Sequence, residues 1–147
     1  MYFLGRPRDE TMGEGWQRLC TRAHNDHSTV CHVNVQPQLR HSMTSRDCLA
    51  CNYADVGFTR PFFYGRRANM VFALMFDLTE EVRLTHSPSG GGRSGQRFNP
   101  AWDFQLVIPE CRVGHEYVLR ARAVYKPWVD ARDILQEFER WDPLLVE

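Results

Sequence analysis

The sequence is poor in lysine: Lys126 is the single lysine among its 18 basic residues, so arginine carries almost all of the positive charge. Eighteen acidic residues balance that charge, and a chain with no net charge has no overall field to attract nucleic acid or an anionic membrane. We therefore expect neither nucleic acid nor membrane among its partners. Arginine is nevertheless the side chain best suited to grip carboxylate or phosphate groups in a fork.

Long apolar runs and a signal-peptide pattern are also missing from the sequence. A membrane-spanning helix needs about 18 consecutive apolar residues, and the opening residues MYFLGRPRDE contain only a short apolar patch. These features predict a soluble, cytoplasmic protein. The five cysteines are an odd number, which favours reduced thiols over a disulfide framework.

A chain of 147 residues suits one compact domain, but its two parts differ in pattern. Residues 1–52 are polar, rich in His and Arg and weakly periodic, whereas residues 53–147 are strongly patterned. The first part is interpreted as an irregular segment of the same domain or as the remnant of a longer chain. Within it, residues 5–28 are interpreted as loop, and the alternation over residues 29–35 predicts a half-buried strand.

The densest aromatic run covers residues 57–77 and divides into two predicted strands. In the first, one face of an extended chain carries alternating aromatic and basic side chains, namely Phe58, Arg60, Phe62, Tyr64 and Arg66. Pro61 has no N–H to donate, which predicts an edge strand or a bulge. Met70–Phe76 is apolar at every position, as expected of an inner strand buried on both faces.

Three further strands are predicted over residues 82–86, 102–108 and 117–125, with the glycine-rich connection SPSGGGRSGQ between the first two. The last two form a hairpin if Ile108 lies opposite Tyr117, because their apolar faces then coincide. That register also pairs the polar residues of the two strands, Asp103 with Arg122 and Gln105 with Arg120.

The C-terminal residues 130–141 predict a helix. Asp130 can cap it, and Ile134, Phe138 and Trp141 recur at helical spacing on one face. The sequence as a whole predicts a mainly β protein, an antiparallel β-sandwich with a C-terminal α-helix at about residues 130–141.

A cluster of cysteine and histidine marks the first third of the chain. Thiolate and imidazole groups at this spacing suit tetrahedral zinc, and the candidate ligands are Cys20, His24, His27, Cys31, Cys48 and Cys51. The alternative is that the cysteines are small core residues and the histidines ordinary loop residues. Beyond zinc, no cofactor is indicated.

Two predicted strand faces combine the residue types that bind sugars. Sugars offer apolar C–H faces and rings of hydroxyl groups, so their sites combine aromatic platforms with planar donors and carboxylates. The first face carries Arg60, Tyr64 and Arg66, and the second carries Asp103, Gln105, Arg120 and Arg122. The alternative is that the charged residues form solvated cross-strand pairs and the aromatic residues belong to the core.

Three titratable residues near strand ends are candidates for acid–base catalysis: His86, His115 and Asp103. A histidine paired with a carboxylate can transfer protons at neutral pH. The alternative is that each is an ordinary surface residue. The spacing does not decide whether the protein is an enzyme.

Three runs over about residues 52–141 carry a family signal: NYADVGFTRPFFYGRRANMVFALMFD, NPAWDFQLVIP and VGHEYVLRARAVYKPWVDARDILQEFERW. Through FFYGR, NPAWDFQ and the RARAVYKP-helix ending, the chain resembles the C-terminal part of a group of uncharacterised bacterial proteins. That group is associated with sugar metabolism and with large β-sandwich folds similar to the galactose-mutarotase type. The resemblance implies a carbohydrate-handling β-sandwich and assigns no catalytic residue.

These observations predict a β-sandwich that binds or processes a carbohydrate, with a small sugar or sugar acid as its partner. If it is catalytic, we expect acid–base chemistry such as epimerisation, lysis or hydrolysis. The alternative is a non-catalytic interaction or accessory domain, stabilised by zinc if the cysteine cluster binds metal. A homo-oligomer or a further chain segment would cover exposed strand edges.

Overall fold

The computed structural model describes residues 1–8, 13–18, 29–36, 53–87 and 101–141. In these ranges the chain forms nine strands and one helix near its C-terminus. They are β1 (Tyr2–Pro7), β2 (Gly15–Arg18), β3 (Thr29–Cys31), β4 (Val56–Phe58), β5 (Phe62–Arg67), β6 (Met70–Phe76), β7 (Val82–Ser87), β8 (Ala101–Leu106), β9 (Ala121–Pro127) and α1 (Ala131–Trp141).

The strands divide between two antiparallel sheets. The large sheet has the order β2-β1-β5-β6-β9, with β4 also paired to β1, and the small sheet has the order β3-β7-β8. Every pairing between these strands is antiparallel. The described part of the chain therefore contains no parallel crossover unit between strands of one sheet.

The two faces of the large sheet are covered by different layers. One face packs against the small sheet through a core that includes Phe3, Phe63, Phe76 and Leu84. The other face packs against α1 through a core that includes Phe62, Met75, Ile134 and Phe138. Neighbours along a strand point to opposite faces, so one strand supplies both cores. The predicted fold class, an antiparallel β-sandwich with a C-terminal helix, is confirmed.

Helix α1 begins where the sequence predicts. The Asp130 carboxylate accepts a hydrogen bond from the Asp133 backbone N–H at 2.8 Å, which satisfies one of the free donors of the first turn. Ile134 and Phe138 are buried against the large sheet, and the Phe138 ring centroid lies 5.0 Å from that of Phe62. The apolar face of the helix therefore determines how it docks.

Two basic residues of β9 fix α1 to the large sheet. Arg122 Nη2 lies 2.8 Å from Glu137 Oε2, and Lys126 Nζ lies 3.0 Å from Glu137 Oε1 and 2.9 Å from Asp133 Oδ1. The hydrogen bonds that Lys126 donates to Asp133 and Glu137 raise the pKa of Lys126, and the one that Glu137 accepts from Lys126 lowers the pKa of Glu137. The single lysine of the chain thus fixes α1 to β9.

The N-terminal residues provide an inner strand that the sequence pattern did not reveal. Strand β1 lies between β2 and β5 in the large sheet, and Phe3 is fully buried. Phe3 and Leu4 face different cores, so β1 shows no alternation of apolar and polar residues. The interpretation of residues 5–28 as loop was therefore wrong at β1 and β2, and the strand predicted over residues 29–35 is shortened to β3.

The predicted edge strand over residues 58–66 was also wrong. The chain breaks after β4, and β5 is an inner strand between β1 and β6. Pro61 lies in the break, where its carbonyl accepts a hydrogen bond from the Phe76 N–H at 2.9 Å. A proline just before a strand loses no ladder bond, so Pro61 marks a boundary rather than an edge.

The predicted hairpin between residues 102–108 and 117–125 does not form. Strand β8 pairs with β7 in the small sheet, and β9 pairs with β6 in the large sheet. Asp103 lies opposite Thr85 and Arg122 lies opposite Met75, so the expected pair of Asp103 and Arg122 is absent. A strand with alternating apolar and polar residues can pair in register with many other strands of the same pattern. Residues 107–120 carry the chain from the small sheet to the large sheet instead of forming a hairpin turn.

Other predicted elements agree with the structure. Strand β6 is an inner strand between β5 and β9, as its apolar sequence predicts, although Phe72 is 37% exposed. Strand β7 covers the predicted residues 82–86. Within the ranges that the structure describes, no helix is long and apolar enough to cross a membrane.

Candidate functional site

Tyr64 and Arg66 lie on the face of the large sheet that α1 covers. The Tyr64 side chain is buried, and its ring stacks on Tyr2 with 5.3 Å between ring centroids. Tyr64 also stacks on Trp128 at 5.4 Å, and the Arg66 guanidinium lies 4.1 Å from the Trp128 ring centroid. The structure therefore brings two predicted ligand-binding residues into one stack around Trp128.

This stack leaves little ring surface for a ligand. The Arg18 guanidinium covers Tyr2 at 5.9 Å, and the Trp16 ring packs edge-on against Tyr64 at 5.6 Å. Burial, together with the neighbouring Tyr2, raises the pKa of Tyr64, which keeps its hydroxyl neutral. The stack therefore packs strands of the large sheet together. A sugar needs an aromatic ring with a free face, and the rings of this stack are covered.

Arg60 lies apart from this stack. It precedes β5, whereas Arg66 stands near the far end of that strand. The pKa of His32 is lowered chiefly by burial; Glu80 opposes this, and Arg8 and Arg60 add to it. Arg60 is therefore a neighbour of His32, and the predicted face of Arg60, Tyr64 and Arg66 is not assembled as one surface.

The second predicted set is divided between the two sheets. Asp103 and Gln105 stand on β8 opposite Thr85 and Arg83. Arg122 is engaged with Glu137 of α1, and the Arg120 backbone N–H donates to Asp77 Oδ1 at 2.8 Å. The four residues are therefore not cross-strand partners, because β8 belongs to the small sheet and β9 to the large sheet.

The three candidates for acid–base catalysis stand on different elements, His86 and Asp103 on the paired strands β7 and β8 and His115 in the segment before β9. His115 is exposed in a turn, where its backbone N–H donates to the Arg112 carbonyl at 3.2 Å. Asp103 is exposed on β8. His86 lies on β7, and its side chain is not among the parts of the chain that the structure describes. Within those residues neither His115 nor Asp103 has a hydrogen bond to a catalytic partner, so an enzymatic role remains a prediction.

Of the predicted zinc ligands, only Cys31 lies in the described residues. It is buried, and its Sγ accepts a hydrogen bond from Arg8 Nη2 at 2.9 Å. Arg8 also donates to the carbonyls of Val35 at 2.8 Å and Val33 at 3.3 Å, so the guanidinium is enclosed by the turn after β3. Across residues 1–8, 13–18, 29–36, 53–87 and 101–141, no three metal-ligating side chains come together.

The other candidates, Cys20, His24, His27, Cys48 and Cys51, lie outside the described residues, and zinc binding there stays a prediction. A guanidinium group beside a thiol disfavours binding of a metal cation at the same sulfur atom, because the two positive charges repel each other. The surroundings of Cys31 are therefore unfavourable for a zinc ligand.

Exposed aromatic residues gather on the face of the large sheet that looks toward the small sheet. Phe72 on β6 lies in register between Gly65 on β5 and Tyr125 on β9. Phe72 is 37% exposed and Tyr125 is 70% exposed, and within the described residues the Tyr125 ring stacks on no other ring. We refer to Phe72 and Tyr125 of the large sheet, together with Trp102 and Phe104 on β8 of the small sheet, as the aromatic face.

The small sheet supports this face from one side. The Trp102 ring stacks on Phe72 with 6.3 Å between centroids and meets Phe63 edge-on at 5.9 Å. It lies so close to Gly65 that a Cβ atom there would collide with the indole. Phe104 is 42% exposed and rests on Phe76 at 4.7 Å. Phe72, Trp102 and Phe104 are therefore backed by other packed rings, whereas Tyr125 extends the face along β9 with its ring exposed.

A guanidinium stands at the rim of the aromatic face. Arg67 follows Gly65 by two positions on β5, so it projects to the same side of the sheet, and it is exposed. Arg66 has the opposite parity and lies over Trp128 instead. The face therefore pairs apolar rings with one planar hydrogen-bond donor and the Tyr125 hydroxyl.

The sequence pattern did not reveal this face, because its rings have the spacing of buried core residues. Phe72 belongs to an unbroken apolar run, and Trp102 and Phe104 alternate as a buried face would. Gly65, in a strand otherwise filled by large side chains, was the available signal, because a glycine inside a strand often marks the close approach of another group.

Comparisons with models of known protein families, with curated proteins and with solved structures found no match. The function of the chain is therefore inferred from the geometry of the aromatic face and of the residues around it.

Proposed function

We propose that this protein binds a carbohydrate on the aromatic face, with Tyr125 as the main platform. The observation that carries the proposal is the Tyr125 ring, which is 70% exposed on a regular strand beside the half-exposed Phe72. An exposed aromatic ring on a sheet can stack against the apolar C–H face of a sugar ring.

The surroundings supply the polar half of such a site. The Arg67 guanidinium offers several N–H donors in one plane, which suits neighbouring sugar hydroxyls or the carboxylate of a sugar acid. The Tyr125 hydroxyl can donate and accept at the rim. Platform and donors stand on β5, β6 and β9, which are hydrogen-bonded neighbours, so the site needs little ordering when a ligand binds.

The proposal is tested with the full chain on a glycan array, followed by calorimetric titration of the glycan that binds best. Tyr125→Ala should weaken binding about tenfold, because it removes one stacking contact. Tyr117→Ala provides the matched control: Tyr117 is 39% exposed, precedes β9 and lies off the aromatic face. Circular dichroism of both variants checks that the fold is kept.

The proposal fails if no glycan binds, or if Tyr125→Ala and Tyr117→Ala weaken binding equally. A second candidate function, a non-catalytic interaction domain, is favoured by the position of β9 at an edge of the large sheet, with Tyr125 exposed on it. Self-association that Tyr125→Ala abolishes, together with an empty glycan array, would assign the face to protein contact.

A further inference from the structure

A cavity of about 540 Å³ opens at the opposite end of β9 from Tyr125. It lies where the small sheet ends and the chain crosses toward β9. Its walls are aliphatic and are built by Leu78 after β6, by Leu106 and Ile108 at the end of β8, and by Val118 before β9. A cavity of this volume is in the range of small-molecule sites.

Hydrogen bonds hold the crossing segment around the cavity. The Val107 N–H donates to the Glu81 carbonyl at 2.8 Å, which ties the end of β8 to the start of β7. The Tyr117 hydroxyl accepts from the Arg112 N–H at 2.9 Å and donates to the Glu110 carbonyl at 3.2 Å. Gly114 takes a positive φ of 81°, which the turn requires. The cavity is therefore formed before any ligand enters.

The charges that line the cavity have one sign. Three carboxylates, Glu81, Glu110 and Glu116, line it, and no basic residue among the described ones does. Arg112 Nη2 lies 3.6 Å from Glu110 Oε2, and both of these side chains are exposed. Glu81 and Glu116 have no ion pair with any residue that the structure describes. Two carboxylates beside an apolar wall are therefore free to meet a cation.

We propose that this cavity binds a small organic cation, an ammonium group carried on an apolar body. The aliphatic walls would cover the body, and Glu81 and Glu116 would neutralise the charge. The Tyr117 ring lines the same cavity and offers a cation a second favourable surface through its π electrons.

Other ligand classes fit the cavity less well. An anion would face three carboxylates with no basic residue of the lining to oppose them, and a neutral apolar molecule would leave those carboxylates unused. A sugar would meet carboxylate acceptors but no planar donor among the described residues of the lining, and its remaining hydroxyl groups would lie against aliphatic side chains. This site is independent of the aromatic face, so either proposal can fail without the other.

The test uses cyclohexylmethylammonium and its uncharged counterpart, cyclohexylmethanol, as probes of the full chain. Binding is followed by changes in the amide resonances of the isotope-labelled protein during titration. The ammonium should bind about tenfold more tightly than the alcohol, and Glu81→Gln and Glu116→Gln should each weaken it about fivefold. Glutamine keeps the shape of glutamate, so both variants should fold.

Glu139→Gln is the matched control, because Glu139 is exposed on α1 and its loss changes the net charge by the same amount. It should leave the affinity for the ammonium unchanged, and so should Tyr125→Ala. Equal affinity for ammonium and alcohol, no binding of either probe, or equal weakening by Glu139→Gln and Glu81→Gln would each overturn the proposal.

Discussion

At the scale of single residues, the contact between Gly65 and Trp102 links the two sheets. The indole of Trp102 covers the backbone of β5 at the one position where that strand has no side chain. Phe63 and Phe72 hold the indole on two sides, so it has little freedom to move away. The glycine is required by this close approach rather than by backbone conformation.

We predict that Gly65→Ala lowers the free energy of unfolding by about 1–3 kcal/mol, because the new methyl group is forced into the indole. Trp102→Ala alone should cost about 3 kcal/mol, since it empties a half-buried site between the sheets. In the Trp102→Ala background, Gly65→Ala should instead be neutral or stabilise by about 0.5–1 kcal/mol, because alanine orders a strand better than glycine. Chemical denaturation of the four proteins measures this cycle, and additive losses would contradict it.

At the scale of elements, α1 is joined to the large sheet by an apolar seam and by charged groups at its border. Glu137 is the central acceptor, since both Arg122 and Lys126 reach it from β9. Its side chain is only 14% exposed, so these bonds are shielded from water more than ordinary surface ion pairs are. The helix therefore has a fixed rotation and register on the sheet.

This arrangement predicts how stability depends on pH. The hydrogen bond from Lys126 lowers the folded-state pKa of Glu137, so the contribution of Glu137 to stability is present above the ordinary glutamate pKa and is lost as pH falls through the lower folded-state value. The folded-state pKa of Lys126 is raised, so its contribution is present below the ordinary lysine pKa, about 10.4, and is lost as pH rises through the folded value.

We expect Glu137→Gln to lower the free energy of unfolding by about 1–3 kcal/mol at neutral pH, because it removes charged acceptors from two basic partners. The difference from wild type should shrink as pH falls through the folded-state pKa of Glu137, because the carboxyl group is then protonated in both the folded and the unfolded state. Denaturant titrations at pH 7 and at a series of lower pH values measure it, with Glu139→Gln as the control on the same helix. An equal loss at every pH value would show that Glu137 acts through packing and not through charge.

Across the described structure as a whole, the N-terminal strand contributes to both hydrophobic cores. Strand β1 pairs with β2, β4 and β5, and it supplies Phe3 to the core between the sheets and Leu4 to the core beneath α1. A boundary at residue 52 would remove the strands β1, β2 and β3 from both sheets. The weak sequence pattern of residues 1–52 therefore does not indicate how much their described strands contribute to the two cores.

A fragment of residues 53–147 should fail to fold, because it loses the inner strand β1 of the large sheet together with β2 and β3. Thermal unfolding followed by near-ultraviolet circular dichroism should show no cooperative transition for the fragment and one for the full chain. In the full chain, Phe3→Ala should cost about 3–5 kcal/mol, as expected for a fully buried aromatic residue. A cooperative transition in the fragment would show that residues 53–147 form a domain of their own.

The sequence predicted the candidate site less well than the fold. It identified aromatic rings and guanidinium groups as the surface to look for, but Tyr64 and Arg66 lie in a stack whose ring faces are covered. The rings that face solvent, Phe72 and Tyr125, are exposed because of where the small sheet lies on the large one. Apolar periodicity cannot report that position, since exposed and buried rings share the same spacing.

Features that depend on neighbours along the chain follow from local sequence patterns. The apolar run of β6 and the cap at Asp130 with its helical spacing behind it are such patterns, and both agree with the structure. Which strands pair, that β8 and β9 belong to different sheets, and which rings stay exposed depend on the folded chain. Strand pairing depends on contacts between distant residues, and alternating faces of similar composition do not distinguish one partner from another.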